Sequence, residues 1–331
     1  MKFDSIEKFA KDDVFLELRQ FVPSQNVYLK LEGFNAGGSI KLKTATALVR
    51  DAEMHRHLKS KRKFIESSSG NLGLSLSVIA AARGYHFTCV VDKNSSEQSI
   101  SIMRALGTTV VVIDKCDAQG GYLGSRLEYI RAVLAQDSDQ IWLSQYQNRA
   151  NPNIHAALTA QSILNEFSQV DYLFVCAGTT GTLMGCIAAF RLHSPATQII
   201  AVDSIGSVTF GTPAQRRYLP GPGASVMPHF FDHTQVDHMI QIPETATIAT
   251  CRDVAARYGY LGGASTGTVL TAVRQMHATI PPHAYVVAIS PDLGHSYFDT
   301  VYNDAWCDKT YGDAWREAFA SISKDIQYEY A

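Results

Sequence analysis

The chain has 331 residues, 46% hydrophobic and 18% charged, and its 29 Lys and Arg against 31 Asp and Glu leave a formal net charge of −2. Such a composition belongs to a folded globular protein, long enough for two domains of ordinary size or one large one. With no basic excess a nucleic-acid partner is not expected. There is no run of roughly 18 apolar residues to span a membrane, and the opening MKFDSIEKFAKDDVF lacks the apolar stretch of a signal peptide. A cytoplasmic protein acting on a small molecule is expected. The six cysteines, Cys89, Cys116, Cys176, Cys186, Cys251 and Cys307, are scattered without a CxxC pair. Buried free thiols are expected from them, with neither disulfide nor metal site.

In chain order, 86–92 (HFTCVVD) predicts a buried strand and 95–106 a helix capped by Ser95 or Ser96. A strand follows at 108–114 (TTVVVID) and a helix at 122–135. Residues 172–177 (YLFVCA) predict another strand, then a Gly/Thr turn and a helical run over 183–192. Further strands are predicted at 198–203 (QIIAVD) and 285–290 (YVVAIS). Continuous apolar runs of this kind suit a sheet buried on both faces. Their alternation with helices predicts βαβ units in a mostly parallel α/β fold. No repeat or low-complexity linker marks a domain boundary. The Pro- and Gly-rich stretch 213–228 predicts an ordered loop, and 321–331 a loosely held tail.

Three segments rich in Gly, Ser and Thr lead into helical runs: 35–41 (NAGGSIK), 66–73 (ESSSGNLG) and 177–182 (AGTTGT). A helix N-terminus offers unpaired N–H groups and a positive dipole end, so each can hold an anion. One such loop is most often a plain turn. Three in one chain suit a ligand with several anionic groups, such as a phosphorylated cofactor with a carboxylate substrate. Lys41 closes the first segment. Most lysines are solvated surface charges. At a helix start with Lys43 nearby, the ammonium form is disfavoured, and a neutral lysine is a Schiff-base nucleophile.

Residues 35–41 resemble the N-P-x-x-S-x-K segment of fold-type II pyridoxal-phosphate (PLP) enzymes. Ser69-Gly70-Asn71-Leu72-Gly73 resembles their S-G-N-x-G loop, and Gly178-Thr179-Thr180-Gly181-Thr182 their G-T-G-G-T phosphate cup. The three occur in the family's order and spacing, within a resemblance running from about 27 to 301. It implies a two-domain α/β fold like the tryptophan synthase β chain, each domain a mostly parallel sheet flanked by helices. The large PLP-binding domain would comprise 1–39 and 148–331, and a small, mobile substrate-binding domain 40–147. A homodimer is implied as well.

The resemblance also implies roles. Lys41 would hold pyridoxal 5'-phosphate and act as general base. Asn71 would bond the ring hydroxyl, and Gly178, Thr179, Thr180, Gly181 and Thr182 the phosphate. Ser265 would face the pyridine nitrogen, with Asp292 as the alternative. Ser68, Ser69 and Leu72 would cradle the donor's α-carboxylate, although Ser67 to Ser69 also suit a helix cap. Arg126 and Tyr146 fall where a pocket for the second substrate or the leaving group is placed. Each could equally be a solvated arginine and a core tyrosine. Arg216 and Arg217 are expected to be solvated.

Within the cysteine synthase and cystathionine β-synthase family, five segments are similar to a siderophore-pathway branch: 66–73, 88–92 (TCVVD), 117–123 (DAQGGYL), 219–225 (LPGPGAS) and 262–267 (GGASTG). That branch is a transferase group that joins O-phospho-L-serine to L-glutamate by β-replacement. There are departures: Leu42-Lys43 replaces the family's Asp-Arg, no Thr-Pro occurs near 13–14, and 291–294 (PDLG) holds no serine. A cysteine synthase using sulfide with O-acetylserine or O-phosphoserine remains open, as does a PLP-binding regulatory protein without turnover. A nucleotide-binding Rossmann domain is disfavoured, since no GxGxxG follows a predicted strand.

Overall fold

The computed structural model describes residues 2–117 and 121–325. The chain divides into two compact units, Met1–Lys11 with Gly33–His155, and Asp12–Glu32 with Ala156–Ala331. Among the described residues ten strands are present: β1 (Phe15–Glu17), β2 (Asn26–Leu31), β3 (Lys63–Ser67), β4 (His86–Asp92), β5 (Thr109–Ile113), β6 (Gln140–Trp142), β7 (Tyr172–Cys176), β8 (Gln198–Ser204), β9 (His238–Ile242) and β10 (Tyr285–Ser290).

The first unit is built on a four-stranded, wholly parallel sheet in the order β5-β4-β3-β6. One core joins Phe64, Phe87 and Val91 to Leu48 of the helix Lys41–His55 and Leu76 of the helix Asn71–Arg83. A second core joins Ile65 and Val90 to Ile130 of the helix Leu123–Gln136. Both faces of the sheet are therefore covered, as a parallel sheet requires. Each fully buried Leu, Ile or Phe here contributes roughly 1.5–3 kcal/mol.

The second unit carries six strands in the order β1-β2-β10-β7-β8-β9, all parallel except the antiparallel edge pair β1-β2. Leu29, Phe174, Ile200, Val286 and Ala288 pack against Leu270 of the helix Ala264–Met276. Lys30, in β2, is fully buried and paired with Asp12 at 3.1 Å, Glu32 at 3.3 Å and Ser162 Oγ at 2.9 Å. A buried charge of this kind persists only where partners satisfy it.

That pairing explains a difference from the expected division at 39/40 and 147/148. Only Asp12–Glu32 of the N-terminal stretch joins the second unit. Residues 1–11 and 33–39 pack within the first, where Ala10 bridges Asn35 and Arg83 holds Glu7 at 2.8 Å. The chain's other junction falls after His155, eight residues beyond 147.

Element boundaries shift slightly from expectation. Ser96 is the cap of the helix Glu97–Ala105, its Oγ accepting from the Ser99 N–H at 3.1 Å. The helix expected over 183–192 starts earlier and spans Gly181–His193. Residues 321–325 are not a tail but the end of the helix Ala314–Asp325, and 326–331 lie outside the described residues. So do Ala118, Gln119 and Gly120 of the DAQGGYL segment. All six cysteines are free; Cys116 is exposed, Cys176 half-buried and the other four buried. No helix among the described residues is long and apolar enough to cross a membrane.

Candidate active site

In the first unit the chain order runs outward from β3 through β4 to β5, while β6 returns to the other side of β3. The topology therefore reverses between β3 and β6. Ligands of open α/β sheets bind beyond the carboxyl ends of the strands at such a reversal. The loops there are Ser68–Gly70, after β3, and the stretch containing Gln145 and Tyr146, after β6.

Lys41 is the first residue of its helix and is half-buried. The turn before it is folded around Asn35, whose Oδ1 accepts from the Gly37 N–H and whose Nδ2 donates to the Ser39 carbonyl, both at 2.9 Å. A Cβ at Gly37 would stand 2.6 Å from Ser75 Oγ, so only glycine lets this turn approach the helix Asn71–Arg83. Gly38 has φ +66°, a left-handed conformation that glycine adopts without strain. One turn into the Lys41 helix, buried Thr44 Oγ1 meets His155 Nε2 at 2.9 Å. Burial holds the His155 imidazole well below its usual range, and Lys41 and Lys43 lower it further.

Asn71 begins the helix Asn71–Arg83. The N-cap of this helix is Gly70, and Ser68 Oγ accepts from the first-turn Gly73 N–H at 3.0 Å, which leaves its hydroxyl hydrogen to donate. Ser69 is half-buried. The Leu72 side chain is in the core, so any contact it makes with a carboxylate comes from its backbone N–H.

Arg126 lies in the first turn of the helix Leu123–Gln136 and is 8% exposed. Its Nη1 stands 3.6 Å from Asp92 Oδ2, and its Nε has no hydrogen-bond partner among the described residues. Asp117 caps the same helix start, accepting from the Gly121 and Gly124 N–H groups at 2.9 Å. A cation in the first turn opposes the helix dipole. With Asp117 on the helix end and Asp92 against Nη1, the Arg126 Nε–H is the donor left for an anion there. Burial pushes the Tyr146 phenol up to about 12, with Arg126 pulling the other way and Glu66 and Asp92 adding to the rise.

Sequence reasoning passed over Glu66. It is fully buried, and its carboxylate accepts from the Ser67 N–H at 2.8 Å, the Gln145 N–H at 3.0 Å and Trp142 Nε1 at 3.2 Å. Burial outweighs these bonds and pushes its carboxyl up to about 7. A glutamate between the apolar pair Phe64-Ile65 and a serine-rich loop was the one available signal.

In the second unit the reversal lies between β7 and β10. The loop after β7 is the Gly178–Thr182 segment, running into the helix Gly181–His193. Thr180 caps this helix at φ +62°, uncommon for a threonine, and its buried Oγ1 has no partner among the described residues. The loop is braced by the Gly223 N–H, which donates to the Ala177 carbonyl at 2.8 Å. Arg217 shapes that brace, with Nη1 donating to the Pro222 carbonyl at 2.7 Å and Nη2 to Ser225 Oγ at 3.0 Å. It is thus half-buried rather than solvated, whereas Arg216 is exposed over the Tyr218 ring.

Ser265 is the second residue of the helix Ala264–Met276 and is buried. A Cβ at Gly221 would stand 3.1 Å from both Ser265 Oγ and Tyr297 Oη. Asp292, which follows β10, lies against Gly263 at the same helix start and accepts from Tyr297 Oη at 2.8 Å. The fold therefore brings both candidates for the pyridine nitrogen to one place.

Two parallel-dominated α/β units with glycine-rich helix starts, one led by Lys41 and one by the Gly178–Thr182 segment, define the fold-type II PLP class. Residues 15–292 match the family described as pyridoxal-phosphate dependent enzyme, and the chain belongs to that family. Similar solved structures include an O-ureido-L-serine synthase, 29% identical, with TM-score 0.85 and covering 96% of this chain and 100% of that one. A hydrogen sulfide-producing enzyme from Fusobacterium nucleatum is 25% identical, with TM-score 0.82 and coverage of 89% and 100%. An O-acetylserine dependent cystathionine β-synthase from Helicobacter pylori, 24% identical with TM-score 0.85 and coverage of 92% and 100%, shares the fold. The cofactor is pyridoxal phosphate, and the residues present fit it. The partnerless Thr180 hydroxyl and the N–H groups of the Gly181–His193 helix start suit its phosphate.

Proposed function

We propose that the chain is an N-(2-amino-2-carboxyethyl)-L-glutamate synthase. It would condense O-phospho-L-serine with L-glutamate by β-replacement, making a precursor of L-2,3-diaminopropionate for siderophore assembly. The observation that carries this reading is Arg126, a buried cation at a helix start whose Nε lacks a partner among the described residues. Glutamate brings two carboxylates, and a planar guanidinium binds a carboxylate through two parallel hydrogen bonds. The similarity to an O-ureido-L-serine synthase supports a serine-derived donor.

Pyridoxal phosphate, when bound, supplies the electron sink for the charge that develops at the donor's Cα. The protein's part follows from its residues. Lys41 holds the cofactor and, once freed, takes the α-proton as general base. Ser68, Ser69 and the Leu72 N–H bind the donor's α-carboxylate. Asn71 orients the ring hydroxyl, and Gly178, Thr179, Thr180, Gly181 and Thr182 bind the phosphate. Ser265 faces the pyridine nitrogen as a neutral partner, while Asp292 is engaged by Tyr297. The donor's Cβ–O bond breaks with release of phosphate. The glutamate α-amine then forms the new C–N bond at Cβ and loses a proton, and Lys41 returns its proton to Cα. Arg126, with Tyr146 beside it, receives a glutamate carboxylate. In this reading the enzyme is a cytoplasmic homodimer.

A second reading, a cysteine synthase taking sulfide, is favoured by the similarity to a hydrogen sulfide-producing enzyme. One experiment separates them. The purified protein is given O-phosphoserine or O-acetylserine with glutamate or sulfide, and the product is weighed by mass spectrometry. The glutamate adduct as main product supports the first reading. Cysteine alone overturns it.

A further inference from the structure

Glu66 is the last residue but one of β3, and its bonds reach Ser67, which leads into the Ser68–Gly70 loop, and, across the sheet, β6 and the loop after it. Its own neighbour Ser67 and the β6-side residues Trp142 and Gln145 all donate to it. Gln145 closes a ring, its Nε2 donating to the Ser67 carbonyl at 2.8 Å. From there the network continues inward. Asn151 Nδ2 donates to the Gln145 carbonyl at 3.0 Å, and Thr44 Oγ1 donates to Asn151 Oδ1 at 3.4 Å. Thr44 stands one turn after Lys41 on the same helix. Four buried polar side chains, Glu66, Gln145, Asn151 and Thr44, thus connect the start of the Ser68–Gly70 loop to the helix of Lys41, with Ser67 joining through its backbone while its Oγ has no partner among the described residues. Such networks rigidify a site when they are complete.

A carboxylate buried in an apolar sheet is costly, and a hydrophobic residue at 66 would pack as Phe64 and Ile65 do. Three directed donors, by contrast, specify where two loops from different strands must lie. We propose that Glu66 is a positioning residue, clamping the loop after β3 to the loop after β6 and, through Gln145, Asn151 and Thr44, to the Lys41 helix. Its effect falls on the segment that the proposed mechanism assigns to the donor's carboxylate, and to that extent it rests on that mechanism. Glu66 itself touches no substrate.

The test uses the holoenzyme and the variants Glu66→Gln, Glu66→Leu and Thr44→Val. Amide hydrogen exchange reads the clamp independently of substrate. In Glu66→Leu the Gly70–Gly73 amides should exchange at least tenfold faster, with the Gly181–His193 helix unchanged. Glu66→Gln, which keeps one acceptor oxygen, should recover part of that protection. Kinetics then reads the consequence: the donor KM should rise about tenfold or more while kcat per bound cofactor stays within about twofold. A double-mutant cycle with Thr44→Val should be non-additive, because groups in one network couple whereas distant independent sites add. Unchanged exchange at Gly70–Gly73 in a folded Glu66→Leu protein overturns the clamp. So does an additive cycle, or a KM that holds while the active fraction drops. If exchange responds as expected but O-phosphoserine is not turned over, the clamp stands and the substrate assignment fails.

Discussion

The Tyr297 hydroxyl donates to Asp292 Oδ2 at 2.8 Å, and the two meet beside Gly263, where a Cβ would overlap Asp292 Oδ1 and come within 2.7 Å of Tyr297 Cε2. The pair is buried at the start of the helix Ala264–Met276, where the positive dipole end suits a carboxylate. Burial and the adjacent carboxylate raise the Tyr297 phenol well above its usual range, so it remains a donor throughout the working pH range.

Gly263→Ala should therefore separate the pair. Overpacking of this kind costs about 1–3 kcal/mol, and the melting temperature should fall by several degrees. Tyr297→Phe, which removes only the donor, should cost about 1–3 kcal/mol through the unsatisfied carboxylate. Thermal unfolding of both variants checks the relationship. No loss in Tyr297→Phe would show that Asp292 does not depend on it.

Lys41→Ala should remove both turnover and the borohydride-reducible lysine–cofactor adduct. The fold should survive, because alanine is a good residue at a helix start. The check is absorbance in the near-visible before and after reduction, together with circular dichroism. Normal activity in this variant would dismiss Lys41 from the chemistry.

Arg126→Ala should leave donor consumption intact and slow acceptor-dependent product formation, with a loss on the order of 2–5 kcal/mol if the lost partner was a desolvated carboxylate. Donor consumption without glutamate and adduct formation with it are measured in parallel. Failure of the donor half alone would place Arg126 on the leaving phosphate instead. Equal rates in both halves would take the residue out of the site.

Glu66 should impose a pH dependence on stability. Its carboxyl stands at about 7 in the fold against an ordinary 4.5, so between those values the folded state keeps a proton the unfolded chain has lost. The stability of the native protein relative to Glu66→Gln should be greatest below about 4.5 and decline as pH rises to about 7, by on the order of 3 kcal/mol. Urea unfolding at a series of pH values gives the difference. A difference that does not vary with pH would show that Glu66 stays ionised.

Much of the architecture was readable from local pattern. Strands β4 and β10 fall on the apolar runs 86–92 and 285–290, and Lys41 and Asn71 open helices as their Gly/Ser lead-ins predict. Periodicity and turn chemistry act over a few residues, so they report what neighbours along the chain will do. β3 and β6 escaped because one contains Glu66 and the other spans three residues. β2 escaped because Lys30 interrupts it, its charge matched only by Asp12, Glu32 and Ser162.

The sequence by itself determined the order of the helix starts, the lysine that leads one of them and the Gly/Thr segment that leads another. Tertiary structure decided that residues 12–32 leave the unit formed by their neighbours on both sides, that Arg217 is a brace rather than a solvated charge, and that Asp292 and Ser265 share one helix start. It also decided the partners of Glu66, the Gln145 N–H being 79 residues away. A buried polar group is stable only where distant segments supply its donors or acceptors. Which segments do so is set by strand order and register, and neither is written in the residues on either side.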